Sequence, residues 1–346
     1  MGVEDAAGGA QMNQGRRSMP VADFGPAGAS SSGTRVPLVV SVVVHYTGIE
    51  QTRACLRSLL ASDYDRHRIV LVDNASPEPE AADLRTAFGD SVDVITSERN
   101  GGYGAGANLG IRRAFQLGAA YVWVLNNDTI IPADTVRLLV DVMEANPRFG
   151  AISPQISAPI GPEAPTGVWF SGGTVDLARG RTRHSTTALD STAHVVPTGY
   201  VSGCAMFLRS SAVRAAGLFW EALFLFWEDT ELSMRLEESG WQLGVAPGAW
   251  IKHDIHGSVS SRTVSYYYFR NAIVTARQGS RRLAASAAIT LTAGMARRWV
   301  GAFLRRRPRP VAQTAGLLAG IRALAPGGFA PRPGPFVDMS SRHDAD

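Results

Sequence analysis

The sequence predicts an α/β protein built on a mostly parallel sheet with helices on both faces. Apolar, β-branched segments of strand length alternate with segments whose apolar residues recur at helical spacing. The strand segments are apolar throughout rather than on alternate residues. A strand that is covered by helices on both sides has no polar face, so this alternation indicates a parallel sheet.

The predicted elements follow one another from residue 36 to residue 125. They are a strand VPLVVSVVVHY, a helix TRACLRSLLAS, a strand RIVLVDNAS, a helix at 81–88, a strand SVDVITS, a helix at 106–117 and the strand YVWVL. The stretch 147–180 is rich in Pro and Gly and is expected to form irregular strands and loops. Regularity returns with YVSGCAMFLRSSAVRAAG, a helix beginning near Asp229 and a helix around SYYYFRNAIVTAR.

Composition divides the chain into four predicted regions. Residues 1–34 are rich in small residues and are expected to be a disordered leader. Residues 35–150 and 151–280 form the two halves of the α/β domain. Residues 281–346 are expected to be a basic, amphipathic helical tail with a disordered end.

The distribution of charge indicates which kind of partner the tail binds. The net charge of +4 comes almost wholly from arginine, because Lys252 is the only lysine. Much of the arginine lies in the tail, which suits an anionic membrane surface better than a nucleic acid. The alternatives are a tail that packs on the domain and a tail that mediates a homodimer.

Two further features concern the compartment. No apolar segment is long enough to span a bilayer, so a protein that meets a membrane would lie on its surface as a peripheral protein. Cys55 and Cys204 are too few for a disulfide framework, which favours a reducing, cytoplasmic compartment.

Polar residues follow several of the predicted strands. Asp73, Asn100 and the triplet 126–128 each follow an apolar strand. Ligands of parallel sheets bind beyond the carboxyl ends of the strands, where loops converge and helix N–H groups point outward. The alternative for each residue singly is a turn or a helix cap.

The glycine-rich segment RNGGYGAGANLG satisfies a dinucleotide fingerprint through Gly102, Gly104 and Ala107. Asp128 ends the next strand, where a ribose-binding acid would lie. A nicotinamide-dependent oxidoreductase is therefore an alternative, although the fingerprint usually opens the first strand-helix-strand unit and here one unit precedes it. The other interpretation is a backbone that passes close to a sugar or a diphosphate.

Asp128 and His253 are candidate metal ligands. A departing diphosphate carries charge that a divalent cation can neutralise, and a carboxylate with an imidazole can hold such a cation. Two protein ligands leave room for phosphate oxygens and water. The alternative is that His253 is a bystander.

Asp229 is the candidate general base. In a helix that begins near it, Asp229, Leu232 and Leu236 share one face, whereas Glu231 and Arg235 are expected to form an exposed pair. A base that removes a proton from an attacking hydroxyl typically contributes about 10² to 10⁴-fold in rate. The alternative is a helix N-cap. Phe226 and Trp227 would shield the carboxylate and offer a stacking face to a sugar ring.

The combination resembles the inverting glycosyltransferases of family 2, which have the GT-A fold, and within them the rhamnosyltransferase-like branch. The resemblance covers about residues 39–258. The matching segments are VSVVVHY, LVDNAS, ERNGGYGAGANLGIRRA, YVWVLNNDTII, GYVSGCAMFLRSSAVRAAGLF, FLFWEDTELSMRLEESGWQLGVAP and IKHDIHGS, with a weaker echo in YYYFRN.

The resemblance implies a role for each matching residue. Asp73 matches the acid that recognises the nucleotide base, and Asp229, beside Glu228, matches the catalytic base. Asp128 matches the last acid of the metal-binding DxD motif, whose first acid is replaced here by Asn126. The implied donor-binding residues are His45, Tyr46, Asp73, Asn100, Gly102, Gly104, Asn108 and Asn127, the implied metal ligands are Asp128 and His253, and the implied acceptor-binding residues are Gly203, Trp227 and Arg270.

The resemblance also implies a reaction. A sugar moves from a nucleotide-diphosphate donor to a hydroxyl with inversion, helped by Mn²⁺ or Mg²⁺. Residues 35–150 would bind the donor, and 151–280 the acceptor. The branch suggests dTDP-L-rhamnose, with UDP-N-acetylglucosamine, UDP-galactofuranose or another hexose donor as alternatives. The acceptor would be a saccharide or lipid-linked saccharide, or a natural product. A binding protein without catalysis stays open.

Overall fold

The structure, a computed structural model, describes residues 36–76, 80–159, 166–192, 194–254, 260–305, 308–330 and 332. The predicted disordered leader and the predicted disordered end of the tail lie outside these residues. The described fold belongs to the unit that begins at Pro37.

The first half of the sheet is parallel, as predicted. Its strands pair in the order β4-β1-β2-β3, and helices connect them. These elements are β1 (Val39–His45), α1 (Ile49–Leu60), β2 (His67–Asp73), α2 (Glu80–Phe88), β3 (Asp93–Thr96), α3 (Tyr103–Gln116) and β4 (Tyr121–Asn126). Every residue of β1 is buried, because helices cover both faces of the sheet.

The second half makes the sheet mixed, because four of its described strands run antiparallel to the strands with which they pair. The strand β11 lies between β4 and β6 and runs against both, while β6 and β12 are parallel. These elements are β5 (Thr129–Ile130), α4 (Thr135–Ala145), β6 (Phe149–Pro159), β7 (Thr166–Phe170), β8 (Gly173–Asp176), β9 (Arg181–His184), β10 (Val196–Pro197), β11 (Ala205–Arg209), α5 (Ser210–Ala216), α6 (Glu228–Glu238) and β12 (Gln242–His253). The predicted α/β class is confirmed.

The strand β6 corrects one expectation. The stretch 147–180 was expected to be irregular, yet β6 is an eleven-residue strand inside the sheet. Its Gln155 is fully buried, and both ends of the amide are satisfied: Nε2 donates to the Pro247 carbonyl at 2.9 Å and Oε1 accepts from the Leu189 N–H at 2.8 Å. The polar and proline-containing sequence is therefore compatible with a buried strand.

Two hydrophobic layers flank the sheet. On one side Val43 of β1 belongs to a core with Leu56 and Leu59 of α1, and on the other side Val42 belongs to a core with Ile111 of α3. A Cβ at Gly110 would clash with Val42, so the glycine lets α3 lie close to β1.

The tail is helical, as predicted. Within the described residues the tail contains α8 (Arg281–Leu304) and α9 (Val311–Arg322), and α7 (Ser261–Gly279) precedes it. The helix α9 packs against α7 closely enough that a Cβ at Gly316 would clash with the Tyr266 carbonyl. None of the helices in the described ranges is long and apolar enough to cross a bilayer.

Candidate active site

The carboxylate of Asp229 is held at both oxygens in the first turn of α6. Its Oδ2 accepts a hydrogen bond from the backbone N–H of Gly203 at 2.8 Å. Its Oδ1 accepts from the N–H of Thr230 at 2.6 Å and from the Thr230 hydroxyl at 3.1 Å. Asp229 is inside the helix rather than at the N-cap, which is Trp227. A carboxylate in a first turn is stabilised by the helix N-terminus.

Gly203 connects Asp229 to α3. Its carbonyl accepts a hydrogen bond from the Tyr103 hydroxyl at 2.6 Å, while its N–H donates to the Asp229 carboxylate. A Cβ at Gly203 would lie 3.2 Å from Cβ of Asp229, so no larger residue fits without moving the carboxylate. Burial raises the pKa of Tyr103 well above its ordinary value, so its hydroxyl stays a donor.

Glu228 lies beside Asp229 and is buried. Burial and the neighbouring Asp229 carboxylate raise the pKa of Glu228 to about 8. Its Oε2 has no hydrogen-bond partner among the described residues. Burial next to Asp229 therefore favours the neutral form of Glu228.

The chain before α6 is strained. Phe224, Phe226 and Trp227 all have positive φ, at 65°, 64° and 72°, a region that costs a bulky residue free energy. Such a conformation persists only where surrounding contacts hold it. The turn 222–227 therefore depends on its neighbours to deliver Asp229 to its position.

Asn271 of α7 supplies those contacts. Its Nδ2 donates to the carbonyls of Leu223, Leu225 and Phe226, each at 2.8 Å, and the side chain is fully buried. Sequence reasoning missed this residue. The signal was a single amide in the otherwise apolar run NAIV of a predicted helix.

Arg270, expected to bind the acceptor, also contacts the turn. Its Nη2 donates to the carbonyls of Ala222 and Leu223 at 3.0 and 2.7 Å, and its guanidinium lies over the Tyr267 ring at 4.6 Å from the centroid. Burial lowers the pKa of Arg270 against the opposing effect of nearby tyrosines. These contacts show that Arg270 stabilises the turn before α6. Its role in acceptor binding stays a prediction.

Trp227, the other aromatic candidate for the acceptor, is almost fully buried. Its ring lies 5.8 Å from that of Tyr268. The face expected to stack on a sugar is therefore covered in this structure, and that role also stays a prediction.

Asp128 and His253 meet at the edge of the sheet. The short strand β5 pairs with the end of β12, and the N–H of Asp254 donates to the Asp128 carbonyl at 2.8 Å. Nε2 of His253 lies 3.1 Å from Oδ1 of Asp128. Burial opposes protonation of His253, but Cys204 and Asp128 outweigh it and raise the pKa to about 10.

This pair fits a divalent cation in its donor chemistry. Oδ1 of Asp128 is buried and makes no well-aligned hydrogen bond to the described residues. A carboxylate oxygen and an imidazole nitrogen suit Mn²⁺, and oxygen ligands suit Mg²⁺. No group of three or more acidic, His or Cys side chains that could hold a metal occurs in the described part of the chain. Two protein ligands leave room for phosphate oxygens and water in the coordination of an ion.

Gly203 and Cys204 lie between Asp229 and this pair. Gly203 bonds Asp229, and the next residue, Cys204, lies opposite Asn126, whose N–H donates to the Cys204 carbonyl at 3.0 Å. The candidate base and the candidate metal ligands are thus joined through two consecutive residues. Both cysteines of the chain are free and buried.

The ends of β1 and β2 bring two predicted donor-binding residues together. His45 is fully buried, with Nδ1 2.8 Å from the Thr52 hydroxyl and Nε2 3.1 Å from Glu80. Burial lowers the pKa of His45, against the effects of Glu80 and Asp73. Oδ1 of Asp73 accepts from the Ser76 N–H at 2.8 Å. Tyr46, in contrast, is exposed.

Three amides fix the loops around this edge. Nδ2 of Asn127 donates to the Thr47 carbonyl at 2.9 Å and to the Thr52 hydroxyl at 2.7 Å. Oδ1 of Asn100 accepts from the Gly102 N–H at 2.9 Å and from Nδ2 of Asn74 at 3.2 Å. Asn74 was not predicted as a site residue, although it directly follows Asp73.

The glycine-rich segment packs against protein. Gly102 has φ of 87°, and a Cβ there would clash with the Phe224 carbonyl. A Cβ at Gly104 would lie 3.2 Å from Phe219. Asn108, one turn later, exchanges hydrogen bonds of 2.9 Å with both backbone groups of Phe219. The segment therefore positions α3 against the turn before α6, and the donor-binding roles of these three residues stay predictions.

One expectation about α6 was wrong. Glu231 and Arg235 were expected to form an exposed pair, yet both are buried, with Nη2 of Arg235 2.8 Å from Oε2 of Glu231. Arg235 also donates to the carbonyls of Ala216 and Leu218 at 2.5 and 2.6 Å. These bonds satisfy a buried charge and tie α6 to the end of α5.

Comparison with known proteins defines the class. Residues 41–214, about half of the chain, match the family model described as Glycosyl transferase family 2. The chain therefore belongs to this family. N-acetylglucosaminyl-diphospho-decaprenol L-rhamnosyltransferase of Mycobacterium tuberculosis is 27% identical over 237 residues, covering 61% of this chain and 74% of that protein. The family 2 membership that the sequence resemblance implied is therefore confirmed, and this relative is a rhamnosyltransferase.

Solved structures agree on the fold. S. aureus TarS 1-349 in complex with UDP-GlcNAc superposes with a TM-score of 0.54 at 16% identity, covering 84% of this chain and 82% of that one. The mannosyltransferase from Pyrobaculum calidifontis in complex with GDP-Man and Mn²⁺ gives 0.51 at 15% identity, covering 86% and 91%. The predicted GT-A fold is confirmed, and family membership favours a transferase over the nicotinamide-dependent alternative.

Proposed function

We propose that the protein transfers a hexose from a nucleotide-diphosphate donor to a hydroxyl group with inversion, in the synthesis of a cell-surface polysaccharide or glycoconjugate. The donor that we favour is dTDP-L-rhamnose. The single observation that carries the proposal is the Asp229 carboxylate, which is fixed by the Gly203 N–H at the sheet edge where Asp128 meets His253.

The donor would lie across the carboxyl ends of β1, β2 and β4. Asp73 and His45 would meet the nucleotide, and the loops held by Asn100 and Asn127 would border the diphosphate. Residues 35–150 are thus the donor half and residues 151–280 the acceptor half of the enzyme. Tyr46, which is exposed at the end of β1, is free to contact the nucleotide.

Asp128 and His253 are the proposed ligands of a Mn²⁺ or Mg²⁺ ion. When bound, such an ion neutralises the negative charge that develops on the diphosphate. The replacement of the first acid of the DxD motif by Asn126 leaves Asp128 as the only carboxylate of that motif.

Asp229 is the proposed general base. It accepts the proton of the acceptor hydroxyl while that oxygen attacks the anomeric carbon, and the bond from the anomeric carbon to the diphosphate breaks on the opposite face. One displacement therefore inverts the configuration, and the nucleoside diphosphate leaves. Burial and the neighbouring Asp229 carboxylate raise the pKa of Glu228, which disfavours a second negative charge beside the proposed base.

We further propose that the acceptor is a saccharide or a lipid-linked saccharide at the cytoplasmic face of a membrane, on which the enzyme lies peripherally. UDP-hexose donors and natural-product acceptors are the second candidates. The alternative donors are kept because structural neighbours were solved with UDP-GlcNAc and with GDP-Man, so the fold accommodates several nucleotide sugars.

Thermal stabilisation by ligands tests the proposal. The purified chain is heated with dTDP-L-rhamnose, UDP and GDP sugars or NAD⁺, each with Mn²⁺, with Mg²⁺ or with chelator, because a ligand of the native state raises the melting temperature according to its concentration over Kd. We expect metal-dependent stabilisation by a nucleotide sugar, greatest for dTDP-L-rhamnose. D128N is the matched variant and should lose the metal-dependent part. Stabilisation by NAD⁺ alone would overturn the proposal.

A further inference from the structure

The outward face of α8 is apolar. Residues spaced by three or four positions share one face of a helix, and such an apolar series runs from residue 289 to residue 303 of α8 on the side turned to solvent. All its members are exposed: Ile289, Ala293, Ala296, Val300 and Phe303. Phe303 is 85% exposed and its neighbour Leu304 is 72% exposed. These six residues are called the α8 stripe.

The opposite face of α8 accounts for its packing on the protein. Ala284, Ala287, Met295 and Ala302 are buried, and Met295 belongs to a small core with Ile273 of α7 and Leu317 of α9. The helix is therefore already docked through one face. The α8 stripe is a second apolar face for which packing within the described chain gives no explanation, and large apolar residues exposed together mark an interaction surface.

An arginine-lined cavity borders the exposed end of the stripe. It has a volume of about 320 Å³, lies between the end of α8 and the start of α9, and is lined by Arg298, Arg305, Arg309 and Gln313. Arg298 lies over the Phe269 ring at 5.6 Å. No described acidic residue forms an ion pair with any of the three arginines. Arginines that line one cavity without a described carboxylate partner suit phosphate oxygens.

The charge of the whole segment points the same way. No Asp or Glu occurs between Asp254 and Asp338, although arginines recur throughout. A second copy of this chain would bring a surface of the same sign against this one, which opposes self-association. A surface that is both apolar and anionic complements the stripe and the cavity together.

We propose that the α8 stripe and the arginine-lined cavity form a docking surface for a membrane that contains anionic phospholipids. Phe303, Leu304 and Val300 enter the interfacial layer, and Arg305 and Arg309 bind lipid phosphate beside them. The helix lies in the plane of the interface, as amphipathic helices with basic flanks do. The inference concerns the tail alone and does not depend on the transfer reaction.

Co-sedimentation of the full chain with vesicles tests this surface. The protein is mixed with vesicles of phosphatidylcholine alone or of phosphatidylcholine with phosphatidylglycerol, at low and at high salt. We expect binding to the anionic vesicles only, weakened by salt, because exposed charges are screened. No binding to anionic vesicles, or equal binding to both kinds, would overturn the proposal.

Two double variants identify the residues. R305Q/R309Q should lower the partition coefficient roughly thirtyfold, since each basic residue near an anionic surface contributes about 1 kcal/mol. F303S/L304S should lower it at least tenfold by removing inserted apolar area. The matched controls are R57Q/R68Q, which removes two exposed arginines of the α/β domain, and L60S, which removes an exposed leucine of α1; both should bind as the wild type does.

Two further measurements separate this inference from its rivals. If the wild type forms a dimer that F303S/L304S abolishes, a second copy covers the stripe and the membrane proposal is wrong. Stabilisation by nucleotide sugars should be the same in R305Q/R309Q as in the wild type. A chain that binds anionic vesicles but is stabilised by no nucleotide sugar would therefore contradict the proposed function and leave the docking surface intact.

Discussion

The backbone N–H of Gly203 donates a hydrogen bond of 2.8 Å to Oδ2 of Asp229, and this bond joins the loop before β11 to the first turn of α6. Hydrogen bonds to a carboxylate are short and strong, and Thr230 holds the other oxygen. The carboxylate therefore has a fixed orientation before any substrate binds. A base that is already oriented saves the free energy of orienting it during the reaction.

Gly203→Ala should damage turnover more than stability. The added Cβ would lie 3.2 Å from Cβ and 3.5 Å from Oδ2 of Asp229, so the carboxylate must move by a few tenths of an ångström. We expect kcat to fall roughly tenfold to a hundredfold, because misplaced catalytic groups lose that order of rate. Steady-state kinetics and thermal unfolding measure the two effects. G294A is the control, since nothing lies within 4 Å of its added Cβ; equal kcat values in both variants would contradict the account.

Asn271→Ala should release the strained turn before α6. The change removes the Asn271 donor from the carbonyls of Leu225 and Phe226, whereas the Leu223 carbonyl keeps its hydrogen bond from Arg270. Acceptors left without partners cost about 1–3 kcal/mol each, so we expect the free energy of unfolding to drop by roughly 2–4 kcal/mol. Thermal unfolding, with limited proteolysis at 222–227, measures this.

N146A is the matched control for that substitution. Asn146 donates a single hydrogen bond, of 2.8 Å, to the Val142 carbonyl near the end of α4. Its loss should cost about 1 kcal/mol and leave the turn 222–227 protected. Equal losses of stability in N271A and N146A would mean that Asn271 does not hold the strained turn.

Gly102→Ala distinguishes packing from ligand contact in the glycine-rich segment. Gly102 has φ of 87°, and its added Cβ would clash with the Phe224 carbonyl. We expect a loss of about 3 kcal/mol or more in the free energy of unfolding, seen as a lower melting temperature. G118A is the control, because Gly118 has φ of 77° but open space around it, and so isolates the backbone cost. An unchanged melting temperature with lost donor binding would assign the glycine to the ligand instead.

The sequence predicted the parallel half of the sheet well. Its strands are apolar on both faces and its helices have periodic apolar residues, so local pattern and tertiary environment agree from β1 to β4. The candidate base and metal ligands could also be located, because they follow strands or open a helix and because they match family motifs. Their roles in this chain stay predictions.

Other features depend on contacts that no local pattern contains. Gln155 lies in a buried strand because Pro247 and Leu189, both distant in sequence, satisfy its amide. Arg235 is buried because the end of α5 offers it two carbonyls. Helical periodicity places Arg235 and Glu231 on one face of α6, but it does not tell which face of the helix another element covers.

Glu228→Gln should change the pH dependence of stability. The pKa of Glu228 rises from 4.5 to about 8 on folding, because burial and Asp229 disfavour its charged form. Between these values the native state binds more protons than the unfolded state, so this group's contribution to stability falls as pH rises from about 5 to 8. The slope is at most about 1.4 kcal/mol per pH unit.

Melting curves of the wild type and E228Q across this range measure that contribution. The melting temperature of E228Q relative to that of the wild type should increase as pH rises from about 5 to 8 and should level off above pH 8. The control is E98Q, at an exposed position in the loop before α3, which should track the wild type more closely. Parallel curves for the wild type and E228Q would mean that Glu228 is ionised throughout.

Release of nucleoside diphosphate by the wild type and by D229N tests the role of Asp229 most directly. The donor is the nucleotide sugar that stabilises the protein best, and the acceptor is a lipid extract containing lipid-linked saccharides. We expect D229N to turn over about 10² to 10⁴-fold more slowly, which is the contribution of a general base, while the donor still raises its melting temperature as in the wild type. Turnover by D229N at the wild-type rate would contradict the assignment of Asp229 as the base.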